Sequence, residues 1–216
     1  MKKIVVLGAT GFLGQNLVKR LLDREYDVRV LVRNTANVSH LSAFDKVEVI
    51  QGAYFDKERL KDVVANSDAV MTTIAPKPMS NVSDNEMRQY KASFVELINV
   101  LETLKVDRFV HIAGSTIRFR NEKLSFRRKV LRFVLTTIAR SAVCLKDFEL
   151  QTMEQRNLNW ISIRSPRIFE GIKGSLVADA RNMPGGKVDV VQLADFLIDQ
   201  LETNDWMRKA PFVSTK

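Results

Sequence analysis

The feature that most constrains this chain lies near its start: Leu7-Gly8-Ala9-Thr10-Gly11-Phe12-Leu13-Gly14. Before it comes a short apolar, β-branched run, residues 3–7, that reads as a buried strand. After it, Leu13, Leu17 and Leu21 recur every four residues with Val18 and Leu22 beside them, which predicts one apolar helix face. The glycines, spaced G-x-x-G-x-x-G, therefore occupy a strand-to-helix turn. Glycine lets a backbone turn sharply and approach a ligand closely. The first helical turn beyond it offers unpaired N–H groups and the positive end of a dipole, which together suit a phosphate. The spacing differs by one residue from the usual dinucleotide fingerprint, so the weight rests on its context.

The rest of the chain repeats the alternation that this turn begins. Strands are expected at 27–33, 47–51, 69–74, 108–113 and 159–164. A short connection, one helical turn at most, is expected over 35–44. Asp56 reads as the N-cap of a helix reaching about residue 64. Ser83 and Glu86 have capping-box spacing before a long helix, whose inner face reads as Met87, Tyr90, Phe94, Leu97, Leu101 and Leu104. Another helix is expected from 145 to about 156. Asp189 and Gln192 open a last one that carries Leu193, Phe196, Leu197 and Leu201. Residues 211–213 suggest an edge strand, and the glycines at 171–174 and 184–186 suggest loops. Such alternation calls for a doubly wound α/β parallel sheet covered on both faces. The 216 residues suffice for one sizeable core but not comfortably for two, so 1–216 reads as a single domain.

Charge and cysteine content narrow the class. The net charge is +9, from 34 Lys+Arg against 25 Asp+Glu. A basic balance suits nucleic acid, an anionic surface or a polyanionic small molecule. No zinc spacing, aromatic RNA-binding string or tandem basic repeat accompanies it, so nucleic acid is not the expected partner. The lone Cys144 cannot form an internal disulfide, and no apolar run is long enough to span a membrane. A secretory leader is not expected from the five apolar residues that run into the glycine turn. A cytoplasmic location is the expectation.

In a doubly wound sheet the ligand sits at the carboxyl ends of the strands. Gly8, Thr10, Gly11, Phe12 and Leu13 would form the phosphate turn. The second strand ends at Arg33, where an acid would be expected to grip the ribose 2′-hydroxyl of NAD. An arginine there can pair with a 2′-phosphate and stack on adenine, which favours NADP, carried as NADPH, over NAD. Its alternative is an ordinary exposed loop residue. Ala53 and Tyr54 would lie against adenine; Ile74, Ala75 and Pro76 would lie beside phosphates and ribose, or simply end a strand. Gly114 and Ser115 end the fifth strand where nicotinamide would sit. Ser115 is placed either to hydrogen-bond a substrate carbonyl or to cap the next segment. His111 reads as a structural histidine inside its strand and His40 as a loop residue, and no metal site is expected.

Residues 118–140 interleave Arg118, Arg120, Arg127, Arg128, Lys129, Arg132 and Arg140 with Phe119, Phe126, Leu131, Phe133, Val134 and Ile138. Such a stretch can lie on a membrane or partner surface. The plainer reading, preferred here, is a helix whose apolar side packs on the domain while its charges are solvated.

Three segments together carry a family resemblance. Residues 8–14 resemble the opening of extended and atypical short-chain dehydrogenases. Asn159-Trp160-Ile161-Ser162-Ile163-Arg164-Ser165-Pro166 and Val188-Asp189-Val190-Val191-Gln192-Leu193-Ala194-Asp195-Phe196 resemble segments of the NAD(P)H-binding, NmrA-like group. The likeness is to the branch with flavin reductases and biliverdin-IXβ reductase, and it covers essentially the whole chain. It implies a Rossmann fold with small C-terminal elaborations on the substrate side. It also implies that Lys146, 14 residues before Trp160, matches the family's active-site lysine. The tyrosine of the Y-x-x-x-K pair would then fall at residue 142, which is Ala142.

Without that tyrosine the proton for alcohol–ketone chemistry has no evident source. Flavins and quinones take theirs from water, and FMN or FAD would then be a substrate. The reading is an NADPH-dependent oxidoreductase passing hydride to a flavin- or quinone-like planar acceptor, oriented by Ser115 and Lys146. The alternative is a non-catalytic NADP(H)-binding redox sensor of the NmrA-like type.

Overall fold

The computed structural model describes residues 1–35, 46–76, 82–120 and 122–216. In chain order it contains β1 (Lys3–Leu7), α1 (Phe12–Asp23), β2 (Asp27–Val32), β3 (Glu48–Gln51), α2 (Lys57–Val64), β4 (Ala69–Thr72), α3 (Asp84–Thr103) and β5 (Arg108–Gly114). There follow α4 (Phe126–Ile138), α5 (Arg140–Glu154), β6 (Trp160–Ser165), β7 (Arg167–Phe169), β8 (Leu176–Asp179), β9 (Lys187–Asp189), α6 (Val190–Asp199) and β10 (Phe212–Thr215). The connection expected over 35–44, with His40, lies outside the described residues apart from Thr35.

The main sheet has eight strands in the order β3-β2-β1-β4-β5-β6-β10-β8. All neighbours are parallel except β10 and β8. The order reverses between β1 and β4, which opens a crevice at their carboxyl ends.

Why β1 lies at the centre follows from its composition. Ile4, Val5, Val6 and Leu7 are all fully buried, as a strand covered on both faces requires. Alternation sends Ile4 and Val6 into one layer with Leu13, Leu17 and Leu21 of α1 and Leu193 and Leu197 of α6. Val5 and Leu7 enter the other layer with Leu60 of α2, Phe94 and Leu97 of α3 and Leu150 of α5. Each large side chain so buried contributes about 1.5–3 kcal/mol. Caps set several helix starts. Asp56 accepts from the N–H groups of Glu58 and Arg59, Ser83 from Glu86, and Asp189 from Val191 and Gln192. Among the described residues no helix is long and apolar enough to cross a membrane.

The structure corrects three expectations. Residues 212–215 form an inner strand, because residues 176–179 pair antiparallel with it and take the edge. The glycines at 171–174 and 184–186 do fall in loops, but the stretch around them is not loop throughout: it supplies β7 and β8, and β7 pairs with β9 in a second, two-stranded sheet. Leu104 falls at the C-cap of α3 and is exposed, so the helix ends before that residue can turn inward.

Candidate functional site

The glycine turn is shaped by steric necessity. Gly8 has φ +89°, and a Cβ there would lie 2.6 Å from the Thr73 side chain. A Cβ on Gly14 would stand 2.1 Å from the Gly8 carbonyl oxygen, so only glycine lets α1 pack this close to the end of β1. The Gly11 N–H donates to the Gly8 carbonyl at 3.0 Å and closes the turn. Gly11 is the N-cap of α1, with no side-chain cap bond and no acidic residue in the first turn. The capped starts of α2, α3 and α6 make the contrast plain. The N–H groups of Phe12, Leu13 and Gly14 are thus presented by a helix with no side-chain oxygen of its own to accept from them. Leu13 does not line the cleft that adjoins this turn, and its side chain is buried in the core.

A cleft of about 280 Å³ adjoins this turn. Gly8, Thr10, Gly11, Arg33, Ala53, Tyr54, Ile74 and Ala75 all line it, as expected from the strand ends. Pro76, Phe12, Gly114 and Ser115 are not among its walls. Phe12 instead stands exposed at the start of α1. Leu31, Val32, Gly52 and Phe55 of the same strand ends also line it, and so do Thr73, Glu86 and Tyr90, which sequence reasoning did not place there. Thr73 donates from its hydroxyl to the Gly8 carbonyl at 3.1 Å and so ties the end of β4 to the turn. Tyr54, Phe55 and Tyr90 form an aromatic wall, with Phe55 and Tyr90 edge to face at 4.8 Å. Burial raises the Tyr90 hydroxyl pKa, Glu86 adds to the rise, and Arg33 opposes it. Both Glu86 and Arg33 therefore act on one wall of the cleft.

Lys146 is buried on α5, and its ammonium is spoken for. It donates to the Ile74 carbonyl at 2.6 Å and lies 2.8 Å from the Glu149 carboxylate. The same Glu149 oxygen is 2.8 Å from His111 Nε2, and His111 Nδ1 is 2.8 Å from the Ser162 hydroxyl. Burial, helped by Lys146, pushes the His111 pKa down to about 4. The ring is therefore neutral at pH 7, with Nε2–H donating to Glu149 and Nδ1 accepting from Ser162. Burial opposes ionisation of Glu149, but Lys146 and His111 outweigh it and hold the carboxyl below its usual range. His111 is thus the satisfied structural histidine that its strand position suggested. Lys146 acts on the cleft through Ile74, whose backbone it fixes. Ala142 lies one helical turn earlier on α5.

At the far side, Ser115 is buried and its N–H donates to the Ser165 carbonyl, joining the ends of β5 and β6. Beyond it a second ionic cluster holds the chain. The Arg164 guanidinium is fully buried, donates to the carbonyls of Ala210 and Ile117, and pairs with Glu122 at 2.6 Å. It stacks 3.7 Å from the Phe212 ring centre. Burial lowers its pKa to about 10, although Glu122 opposes the fall. Arg128 of α4 joins the same carboxylate and the same Ile117 carbonyl. Arg132 donates to the Thr116 carbonyl and pairs with Asp147. These contacts overturn part of the expectation for residues 118–140, although Phe119 and Leu135 do pack on the core and Arg127 and Lys129 are exposed. Arg128 is buried, whereas Phe126 and Phe133 are 79% and 73% exposed. The polar side of α4 packs on the protein because it finds two carboxylates and two carbonyls there.

The sheet order, the uncapped glycine turn and the cleft beside it are those of a Rossmann-type NAD(P)-binding fold. Residues 8–204 match the NAD(P)H-binding family, and the chain belongs to that family. Similar solved structures share the fold at low identity. A short-chain dehydrogenase/reductase from Veillonella parvula in complex with NADP is 17% identical with a TM-score of 0.77, over 99% of this chain and 94% of that one. The anaerobilin reductase ChuY from Escherichia coli is 14% identical with a TM-score of 0.78, over 99% and 97%. Curated relatives match locally. The photosystem II assembly factor Ycf39 of Cyanophora paradoxa is 29% identical over 50% of this chain and 32% of its own length. A mouse decarboxylating sterol-4-alpha-carboxylate 3-dehydrogenase is 30% identical over 48% of this chain and 26% of its own length. The chain spans about a third or less of the length of these relatives.

Proposed function

We propose that this protein is an NADPH-dependent reductase of a planar, flavin- or quinone-like acceptor. The observation that carries the reading is the uncapped first turn of α1, opening on a cleft that also receives Arg33 from the end of β2. The backbone N–H groups of residues 12–14 would hold the pyrophosphate, with the helix dipole behind them. Arg33 would pair with the 2′-phosphate and stack on adenine, against the wall made by Tyr54 and Tyr90. Ile74, whose carbonyl Lys146 holds, and Ala75 would bound the ribose on the nicotinamide side. The bound dinucleotide supplies a hydride, and the protein's task is to orient it. Ser115 would donate a hydrogen bond to the acceptor carbonyl. No tyrosine is needed to deliver a proton when the acceptor exchanges protons with water.

A second reading, an NADP(H)-binding redox sensor, is favoured by one pair of observations. Residue 142 is alanine, and the Lys146 ammonium is engaged by Glu149 and the Ile74 carbonyl. Steady-state NADPH oxidation against a panel of free flavins and quinones separates the two. Turnover that saturates with one acceptor class supports the reductase. Tight NADPH binding with no turnover of any acceptor would leave the sensor.

A further inference from the structure

We propose that the outward face of α4 docks on an anionic lipid surface. The amphipathicity of this helix is largely reversed: Leu135 packs on the core, but its larger apolar stripe faces outward. At helical spacing, Phe126, Val130, Phe133 and Thr137 form one stripe, with Val134 and Ile138 alongside. Phe126 is 79% exposed, Phe133 73%, Val130 48%, Ile138 47% and Val134 44%. The opposite side carries Arg128 and Arg132, which fasten the helix through Ile117, Glu122, Thr116 and Asp147. An apolar face held out by polar anchors is a surface made to be covered.

Charge selects the cover. Between Glu122 and Asp147 the chain has no acidic residue. Arg127 and Lys129 are exposed on the helix itself, and Arg118, Arg120, Lys123 and Arg140 are exposed on the adjoining segments. An aromatic and aliphatic stripe on a helix that carries exposed cations and no acidic residue is the pattern of a helix lying in the plane of an anionic bilayer. A second copy of the chain would set Arg127 and Lys129 against like charges across a two-fold axis, in a molecule of net charge +9. At 13 residues α4 is too short to span a bilayer and would lie along it. Its anchor points, Thr116 and Ile117, follow the carboxyl end of β5.

The test is co-sedimentation of the full chain with vesicles of phosphatidylcholine, alone or mixed with phosphatidylglycerol, at low and high salt. The wild type should bind the anionic vesicles, weakly or not at all the neutral ones, and less as salt rises. Phe126→Ser with Phe133→Ser, and separately Arg127→Glu with Lys129→Glu, should each lower anionic-vesicle affinity by at least roughly tenfold. Thermal melts and NADPH affinity should stay at wild-type values, because these side chains are solvent-exposed and outside the cleft. Absence of binding to the anionic vesicles at low salt would overturn the proposal, as would binding that the Phe126/Phe133 variant leaves unchanged. Self-association or capture of an acidic soluble protein that this variant abolishes, with no vesicle binding, would overturn it too.

Discussion

The two sides of this sheet treat their polar groups in opposite ways. Around β1, β2 and β4 the fold leaves backbone N–H groups uncapped at α1 and turns Arg33 into a cleft. Around β5 and β6 it spends its ionisable groups on one another. Lys146, Glu149, His111 and Ser162 close one network, and Glu122, Arg164 and Arg128 close another. The first side is arranged for a ligand and the second for rigidity. Lys146, which the family resemblance implies to be an active-site lysine, belongs by its contacts to the second. The difference teaches that a buried ammonium engaged by a carboxylate and a carbonyl serves to position backbone, as Lys146 does at Ile74.

The largest effect should come from breaking the rigid side. Glu149→Ala leaves the Lys146 ammonium buried without its carboxylate and should cost about 3–5 kcal/mol in chemical denaturation. Replacing both partners by apolar residues, Glu149→Leu with Lys146→Met, should recover much of that loss, because no uncompensated charge remains. A double variant as unstable as Glu149→Ala would mean that the network does more than neutralise itself. Acid should act on the same cluster. The folded His111 pKa of about 4 lies below the 6.5 of the free side chain, so the unfolded chain binds the proton first as pH falls. Stability from this group is complete above pH 6.5 and declines through the window down to about 4, by on the order of 3 kcal/mol. Glu149, held below its usual range, adds a loss of the same sign. His111→Gln should flatten a plot of melting temperature against pH within that window.

Glycines on the two sides offer the next comparison. A methyl group at Gly14 would meet the Gly8 carbonyl oxygen at 2.1 Å, whereas one at Gly114 meets nothing within 4 Å. Gly14→Ala should destabilise by about 1–3 kcal/mol and abolish measurable NADPH binding by calorimetry. Gly114→Ala should shift stability by no more than about 0.5 kcal/mol and leave that binding intact. Equal effects at both positions would erase the distinction between a built turn and an ordinary strand end.

What could be read in the sequence follows from how far apart the causal residues lie. The strands and helices of the first half, the capping residues Asp56, Ser83 and Asp189, and the glycine turn are set by neighbours within one turn. Their periodicity and spacing display them directly. Thr73 and Glu86 reach the cleft only because β4 lies beside β1 and α3 packs over it, which no local pattern announces. The inner position of β10 depends on residues 176–179 folding back to pair with it. The same holds for α4. Its spacing shows two faces, but the outward one is decided by Arg128 and Arg132 finding partners at Ile117, Thr116, Glu122 and Asp147. Composition alone favours the opposite orientation.

The smallest expected effects test the open side itself. A charge-assisted contact to a 2′-phosphate at an exposed site is worth about 1.5 kcal/mol, or roughly tenfold in affinity. Arg33→Ala should therefore weaken NADPH binding by roughly tenfold and leave NADH binding nearly unchanged. If the parent binds NADH and NADPH equally well, Arg33 does not select the phosphate. Glu86 supplies the finer check. Its carboxylate faces the cleft that Arg33 lines, and the two push the Tyr90 hydroxyl in opposite directions. Removing that negative charge by Glu86→Gln should favour a phosphorylated ribose and tighten NADPH binding by roughly twofold to threefold, with less effect on NADH. A fall in NADPH affinity would instead assign Glu86 to the ribose hydroxyls, and Arg33 would then have an acidic partner in nucleotide choice.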